Sequence, residues 1–586
     1  MKIFLFIVAS AITLYLPLMA QTTSKEMTSS SLKAAGAPNN PKVEIAWNRY
    51  YDWKEVGDIC RRLASAYPDL VKFGSLGKSF EQRDIYLLTV SNSRKGDVDR
   101  KPAMYIDGNV HSNEIQGTEV ALYTAWFLAE NFAHIDWIKE LLDQKTFYIV
   151  PTINPDARDH FIHEANNAHS PRSGLRPRDD DGDGLFDEDG YDDLDGDGNI
   201  VMMRRKDPNG RWKPYEKDSR LMIRADADER GSYDLLGWEG IDNDGDGEIN
   251  EDGPGYYDPN RNWGWNWQPA YIQHGADQYP FSLPETKAVS DFLLSHPNIG
   301  GAQSYHNAAG MILRGPGSED DQAVYQKDDL QKYDFLGKLG EEIIPGYKYL
   351  IVYKDLYSAY GGELDWFYGA RGVFTFSNEL WTSFDYFRRP DKENGFFGKR
   401  EDMYRFDELL LFGEGIVDWK PVKHPQYGNI EIGGTKKNWT RTAPSFLLED
   451  MCHRNMAFSL FHAYHLPQLS IDSSSVKTIS GGLKQIDLII RNDRVLPTRS
   501  AHEIKNKITR PDIVSISGKN MTVITGFLVE DPYLQIASEQ KYQPQDLKVE
   551  TIDGMGTVHL RWIVNGNRPF DIKVDSYKGG ILKTTM

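Results

Sequence analysis

Short apolar runs bounded by turn residues alternate with helical periodicity over the first quarter of the chain. Within residues 45–78, "WKEVGDICRRLASAYP" predicts an amphipathic helix, and a short strand follows around Val71–Gly74. "RDIYLLTVSN", "KPAMYIDGNV" and "KTFYIVPTIN" predict strands. Between the second and third lies "EIQGTEVALYTAWFLAENF", where Ile115, Thr118, Leu122, Ala125, Trp126 and Ala129 recur at helical spacing. Strand, helix, strand predicts an α/β fold with a mixed, twisted sheet flanked by helices.

The rhythm breaks between about Ser170 and Tyr256. The segment is rich in Asp and Gly, then in polar and aromatic residues, and predicts an insertion. The α/β pattern resumes at "LPETKAVSDFLLSHP", "GGAQSYHN" and "GVFTFSNEL". After about Ser470 come short strands at hairpin spacing, "KQIDLIIRND", "MTVITGFLV", "GTVHLRWIV" and "FDIKVDS", which predict a C-terminal all-β sandwich. The predicted organisation is a leader at 1–20, a linker at 21–44, an α/β domain at 45–470 carrying the insertion at about 170–256, and the sandwich at 471–586.

Composition sharpens this picture at three points. The opening "MKIFLFIVASAITLYLPLMA" has a basic Lys2, an apolar stretch Ile3–Leu16 and a small residue at Ala20. These are the parts of a secretory signal peptide, cut after Ala20, and predict a secreted or periplasmic protein with no stable membrane insertion. The net charge of −19 is concentrated, with eleven acids and no Lys or Arg between Asp179 and Asp197. Nucleic acid is excluded as a partner for so acidic a chain. Cys60 and Cys452 are the two cysteines, enough for one optional bridge and too few for a thiolate zinc site.

The stretch "YIDGNVHSNEIQG" places His111 and Glu114 where a strand gives way to a helix. A catalytic zinc takes three ligands from His and carboxylate and keeps one position open. His306 ends a second apolar strand and Glu379 a third. Ligands and catalytic groups in open α/β sheets gather at the carboxyl ends of strands. "YYDPNRNWGW" adds Asn260 and Arg261, "IVMMRRKDP" adds Arg204, and "LYSAYGGELDW" adds Tyr357. His-Glu-x-x-His, Gly-x-Ser-x-Gly and phosphate-loop motifs are absent from the sequence.

In this order the motifs of residues 45–400 resemble those of the zinc metallocarboxypeptidases of the carboxypeptidase A type, in a secreted form with an acidic insertion. The resemblance implies His111, Glu114 and His306 as zinc ligands and Asp258 as the acid behind His111 that fixes its tautomer. It implies Glu379 as the general base and Arg204, or its neighbour Arg205, as the group that stabilises the oxyanion. It further implies Asn260, Arg261 and Tyr357 as the grip on a C-terminal carboxylate, since a guanidinium suits a planar carboxylate. Leu364 aligns with the floor of the side-chain pocket, and Gly317 facing it adds no charge. Glu363, Asp365 and Arg314 nearby leave the preferred residue open. Asn113 stands where some family members carry Arg. His160, His163 and His169 match no family position and read as surface residues.

Three runs read Asp-x-Asp-x-Asp-Gly: Asp179, Asp181 and Asp183; Asp193, Asp195 and Asp197; Asp242, Asp244 and Asp246. Alternating carboxylates followed by glycine begin an EF-hand loop, but its position 12 is Gly190, Arg204 and Gly253 in turn. The runs resemble the calcium loops of bacterial extracellular proteins, with Asp187 and Asp189 closing the shell and Leu185, Ile200 and Ile249 anchoring inward. The expectation is an exported zinc carboxypeptidase acting on the C-termini of peptides or proteins, with structural Ca²⁺. A murein peptidase or amidase on the same fold and an inactive, calcium-stabilised binding protein are the alternatives.

Overall fold

The computed structural model describes residues 35, 36, 38, 40–179, 182–255, 257–389 and 397–586. The leader at 1–20, most of the linker at 21–44, and Asp181 lie outside the described residues.

An eight-stranded sheet forms the first layer. Its strands are Val71–Lys78 (β1), Asp84–Val90 (β2), Ala103–Gly108 (β3), Thr146–Val150 (β4), Ile299–Asn307, Met311–Arg314, Lys348–Ile351 and Phe374–Leu380. From one edge the order is β1, β2, β4, β3, then 299–307, 374–380, 311–314 and 348–351. The four central strands run parallel, and the next strand on either side runs antiparallel to them, so the sheet is mixed. Parallel strands covered on both faces are buried throughout, as β3, β4 and Ile299–Asn307 are.

The helix Gln116–Asn131 is buried along its whole length, its polar Glu119 and Glu130 included. It lies between the sheet, the helix Trp53–Ala66 and the helix Ser445–Tyr464. The sequence pattern did not announce Ser445–Tyr464, because several of its buried positions are polar. Asn455 meets Asn378 at 2.8 Å, Ser459 meets the Tyr305 hydroxyl at 2.5 Å, and His462 sits against Gly301, where a Cβ would lie 2.8 Å from its Nε2. Cys452 on this helix and Cys60 on Trp53–Ala66 are buried free thiols.

The insertion is more than loops. Met202–Lys206, Trp212–Tyr215, Asp218–Arg224 and Tyr233–Trp238 form an antiparallel sheet, which the hairpin Ile416–His424 and Gly428–Thr435 extends to six strands. The C-terminal strands between Leu469 and Thr585 form one sheet of five and one of four. Inward residues of both, among them Ile486, Leu488, Leu560, Trp562, Val514 and Val574, make their shared core.

A polar joint fastens this sandwich to the α/β domain. The short helix Ala501–Asn506 carries a capping box between Ser500 and Glu503, and its first amides donate to Asp329 at 2.9 and 3.0 Å. Lys578 Nζ donates to Glu503 at 2.8 Å and to the Gly372 carbonyl at 3.0 Å, with both charged groups buried. Breaking a buried pair strands the remaining charge, so Glu503→Ala is expected to destabilise the protein by about 3–5 kcal/mol. Urea unfolding checks this, and a Glu503→Ala variant as stable as the parent removes the joint from the energetics.

Candidate active site

The turn after β3 is built to present two side chains. Asn109 adopts φ 60°, a left-handed conformation that Asn tolerates, and its Nδ2 donates to the carbonyls of His111 and Ser112 at 2.7 and 3.0 Å. Buried Arg158 braces the turn by donating to Asn109 Oδ1, to the Ile115 carbonyl and to Glu119. Gly108 and Gly117 let strand and helix touch, since a Cβ on Gly108 would fall 2.6 Å from the Gly117 backbone. His111 and Glu114 therefore leave the sheet at its carboxyl end. His306 and Glu379, directly opposite each other on adjacent parallel strands, end at the same place.

Three atoms converge there. His306 Nδ1 lies 3.1 Å from His111 Nδ1 and 3.0 Å from Glu114 Oε2, and His111 Nδ1 lies 3.1 Å from the same oxygen. His111 Nε2 is 2.9 Å from Asp258 Oδ1. A proton held on Nε2 by that carboxylate leaves Nδ1 with a lone pair facing the other two atoms. Two imidazole nitrogens and a carboxylate oxygen aimed at one point are a donor set that fits a zinc ion.

Charge around the cluster is arranged in opposition. Burial acts to raise the Glu114 carboxyl, but His111 and Arg172 hold it well below the usual range. Asp258 is likewise held low against burial, by His111, Arg261 and Arg172. Glu379 is pushed the other way, to about 7, by burial and by the neighbouring Glu114.

Glu379, Asn260, Arg261, Tyr357 and Leu364 line one cleft with His111 and His306. Asn260 and Arg261 sit in a turn capped by Asp258, whose Oδ1 accepts from the Asn260 amide at 2.7 Å. Asn260 Oδ1 in turn accepts from the Glu363 amide at 2.8 Å. Tyr357 is 55% exposed at the rim, and the Arg261 guanidinium lies 5.9 Å from its ring centre.

Arg204 is not in this group. It belongs to the six-stranded sheet, pairs with Glu431 at 2.7 Å, and is held between the rings of Tyr233 and Trp419. Arg205 beside it is exposed on the same strand. The arginine at the cluster is Arg172, which donates to Glu114 Oε1 at 2.9 Å and approaches Asp258 at 3.5 Å. It stands at the start of the insertion, ahead of the acidic runs, whereas the expectation looked further along at 204–205. A second arginine, Arg441, reaches Glu114 Oε1 at 3.2 Å and contacts the Asn307 carbonyl, and no motif pointed to it.

A larger cavity of about 720 Å³ opens beside the cluster. Arg172, Asp258, His160 and His169 line it on one side, and Asp187, Tyr191 and Asn250 of the insertion on another. Within the insertion, Asp193, Asp195 and Asp197 converge, as do Asp242, Asp244 and Asp246. The first run combines differently. Asp183 converges with Glu188 and Asp244, and Asp189 with Asp244 and Glu251, while Asp179 accepts from the Gly182 and Gly184 amides. Ile200 is buried, whereas Leu185 is 52% exposed and does not anchor inward.

Comparison with known proteins identifies the family. Residues 56–176 and 243–409 match the zinc carboxypeptidase family profile. That part of the chain belongs to the zinc carboxypeptidase family. Residues 468–586 match a domain of unknown function, DUF8731. Carboxypeptidase D of Rattus norvegicus is 30% identical over 23% of this chain, a match spanning 10% of that protein. Carboxypeptidase B of Astacus astacus is 25% identical over 56% of this chain and 84% of its own length. An inactive metallocarboxypeptidase of Ajellomyces capsulatus, ECM14, is 34% identical over 21% of this chain and 20% of its own. The matches thus cover about a tenth of the carboxypeptidase D sequences.

The Asp258–His111 contact carries its own test. Loss of such a partner typically costs 10–100-fold in metal affinity. Asp258→Ala is expected to bind zinc that much more weakly in competition with a chromophoric chelator, and Asp258→Asn, which keeps the acceptor and the turn cap, less so. Unchanged affinity in both would detach Asp258 from the cluster.

Proposed function

We propose that the chain is an exported zinc metallocarboxypeptidase that releases the C-terminal residue of peptides. The convergence of His111, Glu114 and His306 in one cleft with Glu379, Arg172, Asn260 and Arg261 carries this reading. His111, Glu114 and His306 would hold a zinc ion, which would supply Lewis-acid chemistry at the scissile carbonyl and the attacking water.

The chain's own residues do the rest. Arg261 and Asn260 receive the substrate's terminal carboxylate, with Tyr357 closing over it from the rim. Glu379 takes a proton from the attacking water and hands it to the departing amine. A carboxyl raised by burial is suited to both halves of that transfer. Arg172, rather than Arg204, donates to the carbonyl oxygen as it gains negative charge. Asp258 keeps His111 in the tautomer that leaves Nδ1 free.

The assay compares a peptide with its C-terminally amidated twin. Release from the free acid alone is expected, because an amide gives Arg261 no charge to hold. Glu379→Gln is expected to retain zinc and lose about 10²–10⁴ in kcat. Arg172→Met should lose about 10²–10³, as removal of an oxyanion donor does. Near-parental turnover by Glu379→Gln would sink the mechanism. Zinc and peptide binding without turnover in the parent would favour an inactive binding protein.

The same reading gives the insertion a structural role for Ca²⁺. The converging acids of the second and third runs, and the sets shared between the first and third, support it. Lys420 already contacts Asp195 of the second run, so the first and third runs are the stronger sites. Chelator should speed proteolysis within 182–252. An unchanged cleavage pattern, with calcium absent by elemental analysis, would refute the role.

A further inference from the structure

Two arginines share one oxygen of Glu114, and the proposed mechanism requires one of them to leave it. Arg172 Nη1 donates to Glu114 Oε1 at 2.9 Å, and Arg441 Nη2 reaches the same oxygen at 3.2 Å. The other oxygen, Oε2, faces His306 Nδ1 and His111 Nδ1 at 3.0 and 3.1 Å. Oε2 therefore belongs to the ligand trio and Oε1 to the guanidiniums. When Arg172 turns to the substrate carbonyl, Oε1 loses that donor. A buried carboxylate oxygen without a donor is costly, and the cost opposes the turn. The transfer needs a second donor that stays.

Arg441 is placed to stay. Its Nη2 also donates to the Asn307 carbonyl, next to His306. Its own carbonyl accepts from Gln116 Nε2 at 3.2 Å and from Asn307 Nδ2 at 3.3 Å. Gln116 Oε1 accepts from the Ala443 amide at 2.8 Å, and the Tyr50 hydroxyl donates to the Ala443 carbonyl at 2.8 Å. The stretch 441–443 is thus clasped to the first residue of the helix Gln116–Asn131 and to the strand end that carries His306. Arg172 differs. Its side chain is 37% exposed, against 17% for Arg441. It lines both the ligand cleft and the 720 Å³ cavity, whereas Arg441 lines neither. The guanidinium within reach of substrate is that of Arg172, and the one fixed by the fold is that of Arg441.

We propose, on the carboxypeptidase reading of the cleft, that Arg441 is a positioning residue that holds Glu114 Oε1 throughout turnover and so frees Arg172 to donate to the carbonyl oxygen. Arg441 itself touches no substrate. It lies beyond residue 409, where the family match ends, so a segment after the catalytic motifs completes the site. With Arg441 removed, Arg172 is the one donor left to Oε1 among the described residues, and it is held at the ligand. With both removed, Oε1 is bare.

A double-variant cycle on the full-length protein tests this with two readouts. Competition with a chromophoric chelator gives zinc affinity without turnover. A peptide with a free C-terminus gives kcat and KM on the zinc-loaded protein. Arg441→Met is expected to lower kcat about 10–100-fold, with KM and zinc affinity within about threefold of the parent. In the Arg172→Met background the same change should lower kcat by less than about threefold, because no oxyanion donor remains to be freed, and weaken zinc about 10–100-fold, because Glu114 has lost both donors. Arg441→Lys, which keeps a charged donor for Glu114, should recover most of the kcat. Thermal melting checks each variant, and Arg441→Gln repeats the cycle if Arg441→Met does not fold. Equal losses of kcat in both backgrounds, or zinc weakened as much by Arg441→Met alone as by the double variant, would make Arg441 a simple brace and overturn the proposal. Zinc bound by the parent without hydrolysis of any peptide would overturn the carboxypeptidase reading and the freeing of Arg172 with it. The zinc arm would still decide, in that case, whether the two arginines share Glu114.

Discussion

Three lone-pair-bearing atoms held within about 3 Å of one another in a buried site are the constraint on which this molecule turns. Neighbouring acceptors repel unless a cation stands between them, and burial removes the water that would screen them. The surrounding structure has to hold that geometry against its own electrostatics. It does so with parallel strands that end level, a left-handed Asn109 turn, and the Gly108–Gly117 contact that seats the helix directly on the strand. Arg172 and Arg441 approach Glu114 from two parts of the chain, and His111 with Arg172 holds its carboxyl well below the usual range. Asp258 keeps His111 in the useful tautomer.

The insertion is tied to this cluster at both ends. Arg172 lies just before the acidic runs and Asp258 just after them, 86 residues apart, yet the two meet at 3.5 Å. Whatever the insertion does between those points, it must return the chain to the same place. Its strands help to ensure this by forming a sheet with the hairpin at 416–435, which comes from far downstream. Ordering the acidic runs would therefore stiffen a wall of the 720 Å³ cavity without touching the ligands themselves. Arg204, locked between Tyr233 and Trp419 in that sheet, is a structural arginine.

The α/β strands and the helix at 116–131 were legible because their patterning is strong and their ends carry turn residues. The converging trio was legible because local spacing pairs His111 with Glu114 and a strand end marks His306, as another marks Glu379. Arg172 was missed for a reason of distance. The insertion separates it from Asn260 in sequence, and only the fold brings the two into one cleft. Arg441 gave no signal because it lies in a loop without periodicity, beyond the last catalytic motif. The helix at 445–464 hid behind buried Asn455, Ser459 and His462, which satisfy partners or fill space rather than mark a polar face. The strands at 202–238 hid because they are half-buried and mixed in character, so neither face reads as apolar.

The α/β domain therefore does not end where its catalytic motifs end. Arg441 reaches Glu114 from beyond residue 409, and the helix at 445–464 covers the strand that carries His306 by approaching Gly301. Lys145 Nζ, itself buried, donates to the carbonyls of Leu466 and Pro467, tying the sheet to the last residues before the sandwich. The sandwich then grips Gly372, the residue that ends the helix carrying Glu363 and precedes the strand carrying Glu379. A group that touches no substrate thus fixes the backbone between two acids of the cleft. The geometry of the site is a property of the whole chain after residue 40, with the short sequence motifs supplying only the atoms that the rest of the fold brings together.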